Sequence, residues 1–143
     1  MSARFPVAVA LALVALPLPG CSHPPGDSTP AGAVRLFLDA MDSDDNAASM
    51  HRAYDLLGPV ARANLVGRAR RTSRLQGRQV EPWEMIAAGF FGLAFRPKAM
   101  RSTGVGERAT VEVFGEDPQS EHASVACVHE AAGWRIEPGL PEP

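Results

Sequence analysis

The sequence predicts an α+β domain, helices first and an antiparallel meander after them, on three observations. Apolar residues recur at helical spacing between residues 31 and 76. From residue 93 onward they alternate with polar residues or run β-branched. Turn signals separate those later runs: Gly104 to Gly106, "GEDPQ" and "EAAG". Helices followed by strands, rather than the two in alternation, give segregated layers.

The first helix starts in "STPAGAVRLFLDAMD", where Ser28 or Thr29 caps it and Pro30 suits its first turn. Ala33, Val34, Phe37, Leu38 and Met41 form its apolar face. A second helix, roughly Asp45 to Leu57, carries Ala47, Met50, Tyr54 and Leu57 on one side. Gly58-Pro59 stops it, and Pro59 opens a third that runs to about Gln76. "EPWEMIAAGFF" suggests a short fourth helix. Strands follow within "LAFRPKAMRSTGVG", "ERATVEVFGED", "EHASVACVHEA" and "GWRIEPGLP". Residues 31–140 are a single domain, and its 110 residues are enough for one core.

Ahead of that domain, Arg4 precedes an uncharged run from Phe5 to Leu18. Its 14 residues fall short of the roughly 20 that span a bilayer, so residues 1–20 read as a signal peptide. No A-x-A cleavage pattern is present. Instead, Leu18-Pro19-Gly20-Cys21 resembles the lipobox of bacterial lipoproteins. Pro19 departs from the small or hydroxylated residue usual there. The resemblance implies cleavage between Gly20 and Cys21, diacylglycerol on the Cys21 thiol and an acylated amino terminus. Two or more acyl chains anchor stably where one does not. Plain secretion and a retained membrane anchor are the alternatives. Residues 21–30, "CSHPPGDSTP", are then the lipidated cysteine and a proline-rich tether, nine residues reaching at most about 30 Å. Ser22 stands where some bacteria read aspartate as an inner-membrane signal, which places the protein on the periplasmic face of the outer membrane.

The domain itself resembles the nuclear transport factor 2-like superfamily. The likeness rests on "AVRLFLDAM", "AYDLLGPVAR" and the ending "ATVEVFG…ASVACVHEAAGWRIEPGLP" with its Gly-Trp pair. It implies a strongly curved antiparallel sheet around the first helix, enclosing a cone-shaped cavity. Such cavities serve enzymes, ligand binders and docking modules alike, so the fold does not select a function.

Several stretches suggest chemistry. Residues 59–80 hold six arginines (Arg62, Arg68, Arg70, Arg71, Arg74 and Arg78) and no acid. Arg70, Arg71, Arg74 and Arg78 share one helical face, opposite Ala61, Leu65 and Ala69. That face suits anionic lipid, at about 1 kcal/mol per charge, or another polyanion. The plain alternative is a solvated face balanced by Asp39, Asp42, Asp44, Asp45 and Asp55. "DSDDNAA" matches calcium-loop ligands at Asp42, Asp44 and Asn46, but Ala47 and Ala53 replace the required glycine and glutamate. A helix-capping turn fits it better. His23 lies in the tether and His51 on a helix, while Cys127 and His129 share a strand face. No second pair completes a zinc site, so Cys127 reads as a small buried hydrophobe and no metal or cofactor is expected.

Asp39, Tyr54, Glu112 and His129 are the candidates for acid–base work inside a cone. No nucleophile motif, phosphate loop or dinucleotide fingerprint occurs, and "GVGERA" lacks the third glycine. "FFGLAF", with Phe90, Phe91 and Phe95, reads as core beside Trp83 and Trp134, or as a cavity rim or a homodimer seam. A net charge of −2 argues against a nucleic-acid partner. With Cys21 lipidated, Cys127 has no disulfide partner within the chain.

The expectation is therefore a lipid-anchored envelope protein whose domain binds a small apolar ligand or an envelope protein without catalysis. The alternatives are a cavity enzyme pairing Asp39 with Tyr54, and an anionic-surface module built on Arg70, Arg71, Arg74 and Arg78.

Overall fold

A computed structural model of the chain describes residues 26–43, 47–86 and 93–140. The expected signal peptide, Gly20, Cys21, His23, Asp44, Asp45, Asn46, Phe90 and Phe91 lie outside the described residues.

Helix α1 spans Pro30–Asp42. Thr29 caps it, its hydroxyl accepting from the Gly32 N–H at 3.1 Å, and Pro30 occupies the first turn. Ala33, Val34, Phe37 and Ala40 are its buried face, with Leu38 and Met41 half-buried beside them. Helix α2 covers Ala47–Asp55, two residues short of the predicted end. Leu56 and Leu57 end it in a tight turn, their N–H groups donating to the Ala53 and Tyr54 carbonyls, while the Leu56 carbonyl is taken by Ile136. Helix α3 covers Pro59–Gln76. It ends on Gly77 in the left-handed region (φ 66°), whose N–H donates to the Ser73 carbonyl at 3.0 Å.

The expected fourth helix is a single 3-10 turn, Pro82–Met85, held by a reciprocal cap between Glu81 and Glu84. Trp83 stacks on His51 of α2 with ring centroids 4.7 Å apart, which ties this turn to the helical layer. Trp83 is therefore a half-buried edge, whereas Trp134 packs half-buried against the core. A second difference lies upstream: Gly26–Ser28, expected within the tether, forms a 3-10 turn packed on α1. Asp27 accepts from Arg135 at 2.7 Å, and that charge-assisted bond fixes the turn against the last strand of the sheet.

Four strands follow: β1 (Ala99–Val105), β2 (Arg108–Phe114), β3 (His122–Glu130) and β4 (Gly133–Ile136). They form one antiparallel meander in sequence order. The α+β class is therefore as the sequence predicts. Gly104 is part of β1, and the turn there is Gly106–Glu107. β2 alternates strictly, with Ala109, Val111 and Val113 buried and Thr110, Glu112 and Phe114 on the opposite face. α1 lies against all four strands. Val34 and Phe37 meet Val111, Val113, Cys127 and Ile136 in one core, which Leu57 and Leu65 extend toward α3.

Leu57 pairs in parallel with Ile136. The Ile136 N–H donates to the Leu56 carbonyl at 2.9 Å, and the Gly58 N–H to the Ile136 carbonyl at 2.7 Å. The connection between α2 and α3 thereby borders β4. Pro59 disfavours helical backbone at Gly58, which suits that extended path.

Candidate functional site

An apolar concave space lies between α1, β3 and the segment after β4. It measures about 330 Å³, within the range of small-ligand sites. Val34, Phe37 and Leu38 form one wall, and Val125, Ile136 and Leu140 the other. A bond from the Leu140 N–H to the Pro138 carbonyl, 2.8 Å, turns the chain end over this opening. Ser124 and Glu137 supply its polar edge.

Two further hollows adjoin it, and Leu38 lines all three. One, about 410 Å³, sets Arg35, Asp39 and Asp42 of α1 opposite Arg96, Lys98 and Met100. The other, about 650 Å³, runs along Met41 and residues 93–97. An apolar groove thus opens into a charged vestibule of three cations and two acids. Lys98 also meets Glu116 at 3.0 Å, but both are largely exposed and such a pair contributes little.

The acid–base candidates do not converge. Asp39 is exposed in the vestibule, and its carboxylate makes no hydrogen bond among the described residues. Tyr54 is half-buried against the core and shares no hydrogen bond with Asp39. Glu112 and His129 stand on opposite faces of the sheet. The register pairs Glu112 with Ser124, whereas His129 lies on the face of Cys127 and meets Trp134 edge-on at 5.1 Å.

Glu112 instead joins a cluster that the sequence did not suggest. Its carboxylate accepts from the Ser124 hydroxyl at 2.7 and 2.8 Å and bonds His122 Nε2. The His122 ring stacks on Phe114, centroids 4.9 Å apart. The Ser124 hydroxyl bond, and after it the His122 bond, hold the Glu112 carboxyl below its ordinary range. In a serine triad the histidine stands between hydroxyl and carboxylate, whereas here Ser124 and His122 each bond the Glu112 carboxylate directly. The group is a cross-strand polar ladder. Strand register alone would have revealed it.

Cys127 and His129 share a strand face as expected, yet their surroundings differ. Cys127 is buried, its thiol pushed up to about 11 by that burial, while His129 is exposed. Among the described residues no three metal-binding side chains converge. Asp42 lines the vestibule, and Ser43 rather than an aspartate closes α1, its hydroxyl donating to the Asp39 carbonyl at 2.7 Å.

The arginine helix divides in two. Ala61, Leu65 and Ala69 are buried as the pattern predicts. Arg62 donates to both Glu130 oxygens, at 2.9 and 2.8 Å. Arg68 bonds Asn64 at 2.7 Å, and Arg78, expected on the open face, pairs with Glu84 at 3.0 Å. The balancing acids are thus Glu130 and Glu84 rather than the aspartates of the preceding helices. Arg70, Arg71 and Arg74 are exposed and form no ion pair among the described residues.

No protein-family model, curated protein or solved structure matches the chain.

Proposed function

We propose that this chain is a bacterial envelope lipoprotein, anchored through lipid on Cys21, whose domain holds a small apolar ligand without transforming it. The anchor reading rests on the Leu18-Pro19-Gly20-Cys21 resemblance and the short apolar run before it. The observation that carries the binding reading is the groove of about 330 Å³ between α1 and β3, walled by aliphatic and aromatic side chains. A helix lying across an antiparallel sheet also supports the nuclear transport factor 2-like cone that the sequence resembles. The acid–base enzyme draws less support, since neither Asp39 with Tyr54 nor Glu112 with His129 comes together.

Native mass spectrometry of the mature chain, purified gently from its host, tests the binding reading. A single small-molecule adduct, lost in Leu38→Trp, is the expected result, because Leu38 borders every adjoining hollow. A bare mass in both forms, with a stable protein partner, would move the function to docking. Incorporation of labelled fatty acid that disappears in Cys21→Ala tests the anchor independently.

A further inference from the structure

The distal half of α3 carries a combination that neither core packing nor charge balance explains. Arg71, Arg74 and Leu75 stand at i, i+3 and i+4, so they share one face, and Arg70 borders it. Leu75 is 88% exposed at the edge of that cationic face, beside Arg71. The tip is held rigidly behind it: Ser73 donates to the Ala69 carbonyl at 2.8 Å and accepts from the Val80 N–H at 2.9 Å. Thr72 and Met85 pack the opposite side onto the 3-10 turn. The arginines are therefore presented on a fixed surface and meet no carboxylate among the described residues.

We infer that this face seats α3 on anionic lipid head groups. Guanidinium groups gain from phosphate charge, and Leu75 gains only where apolar depth lies beneath that charge. A nucleic acid or other polyanion offers the first and not the second. The inference rests on the proposed lipid anchor in one respect, that a bilayer lies within reach. Arg62 at the base of α3 bonds Glu130, Arg135 lies 3.9 Å from Glu130, and Arg135 bonds Asp27. Six residues beyond Cys21 the chain is thus already tied to the root of α3. Extended, they reach about 20 Å, less than the roughly 27 Å length of the helix. A chain so short holds the domain close enough for α3 to lie on the same surface.

Flotation of the full chain with phosphatidylcholine vesicles, with and without phosphatidylglycerol, tests this. Insertion by the amino terminus, whose Arg4 also favours anionic lipid, is common to wild type and variants, so the part of the anionic excess that the α3 variants lose isolates α3. That excess should fall on the order of a hundredfold in R70Q/R71Q/R74Q and largely vanish in high salt. Leu75→Gln should weaken it severalfold while leaving all charges in place. Circular dichroism keeps the variants interpretable, since all four side chains are exposed. Equal partition of the wild type onto both vesicle types overturns the inference, as does a triple variant that retains the excess. Tighter binding to heparin than to anionic vesicles, unchanged in Leu75→Gln, overturns it in favour of a polyanion. Loss of fatty-acid labelling with the vesicle preference intact would reject the anchor and leave α3 standing.

Discussion

Glu137 caps a helix that begins 78 residues before it: one carboxylate oxygen accepts from the Val60 N–H and the other from the Ala61 N–H, each at 3.0 Å. Gly58, at the cap position of α3, has no side chain to do this. Its hydrogen is also required there, because a Cβ would lie 2.3 Å from the Glu137 oxygen. Charge at a helix N-terminus adds to the two bonds.

Glu137→Ala should therefore lower unfolding free energy by about 1–2 kcal/mol, and Glu137→Gln by less, in urea titrations. Gly58→Ala should produce a similar loss by displacing the same carboxylate. The double variant should then cost clearly less than the sum of the two. Additive losses would mean that Gly58 and Glu137 act separately.

The Asp27–Arg135 pair should bind the first described turn to the domain. Its two side chains are only 21% and 11% exposed, so it is better sheltered than a surface pair. Asp27→Ala is expected to cost about 1–3 kcal/mol and to open residues 26–30 to limited proteolysis. Wild-type resistance in that variant would show that packing on α1 holds the turn unaided.

Stability should depend on pH through Glu112. Its carboxyl is held below the ordinary range in the folded chain, so the folded state binds its proton less readily than the unfolded one. The contribution is complete above the ordinary glutamate value of about 4.3 and is lost as pH falls through the lowered folded value. The stability difference between wild type and Glu112→Gln should shrink on acidification through that window. A difference that stays constant would detach Ser124 and His122 from the carboxylate.

Cys127 should resist alkylation in the folded protein. With its thiol buried and pushed up to about 11, almost no thiolate exists at pH 8. Iodoacetamide should label it, by peptide mapping, only after denaturant is added. Cys127→Ala should cost about 1 kcal/mol through the space left beside Ile136. Rapid labelling of the native chain would place the thiol near solvent.

The parts of the fold legible in the sequence were those set by local rules. Thr29 and Pro30 mark the start of α1, and Gly58-Pro59 and Gly77 bracket α3, because caps and breakers act within a few residues. The alternation of β2 was legible as a period, but which of its two faces meets the core was not. Long-range relations were not legible. Glu137 meets α3 across 76 intervening positions, Arg62 meets Glu130 across 67, and neither pairing has a local signature. Glu112 looked like a cavity acid because its facing depends on register, and register set it beside Ser124 and His122 on the outer surface. The arginine face was readable as a pattern, but which of its charges are neutralised was not, since Glu130 and Glu84 arrive from other elements.

The pairing of Leu57 with Ile136 has a consequence for assembly. A sheet with two open borders can accept a neighbour on each side and so lengthen without limit. Here Leu56 and Gly58 take the backbone groups of Ile136, and the border of β4 is occupied there from within. Among the described residues β1 keeps its whole border unpaired, whereas the short β4 is covered at Ile136. Copies of this domain that join through β1 therefore have one long border each to offer, and that joining stops at two. The same short crossing that connects α2 to α3 makes a closed pair, not a filament, the end point of such growth.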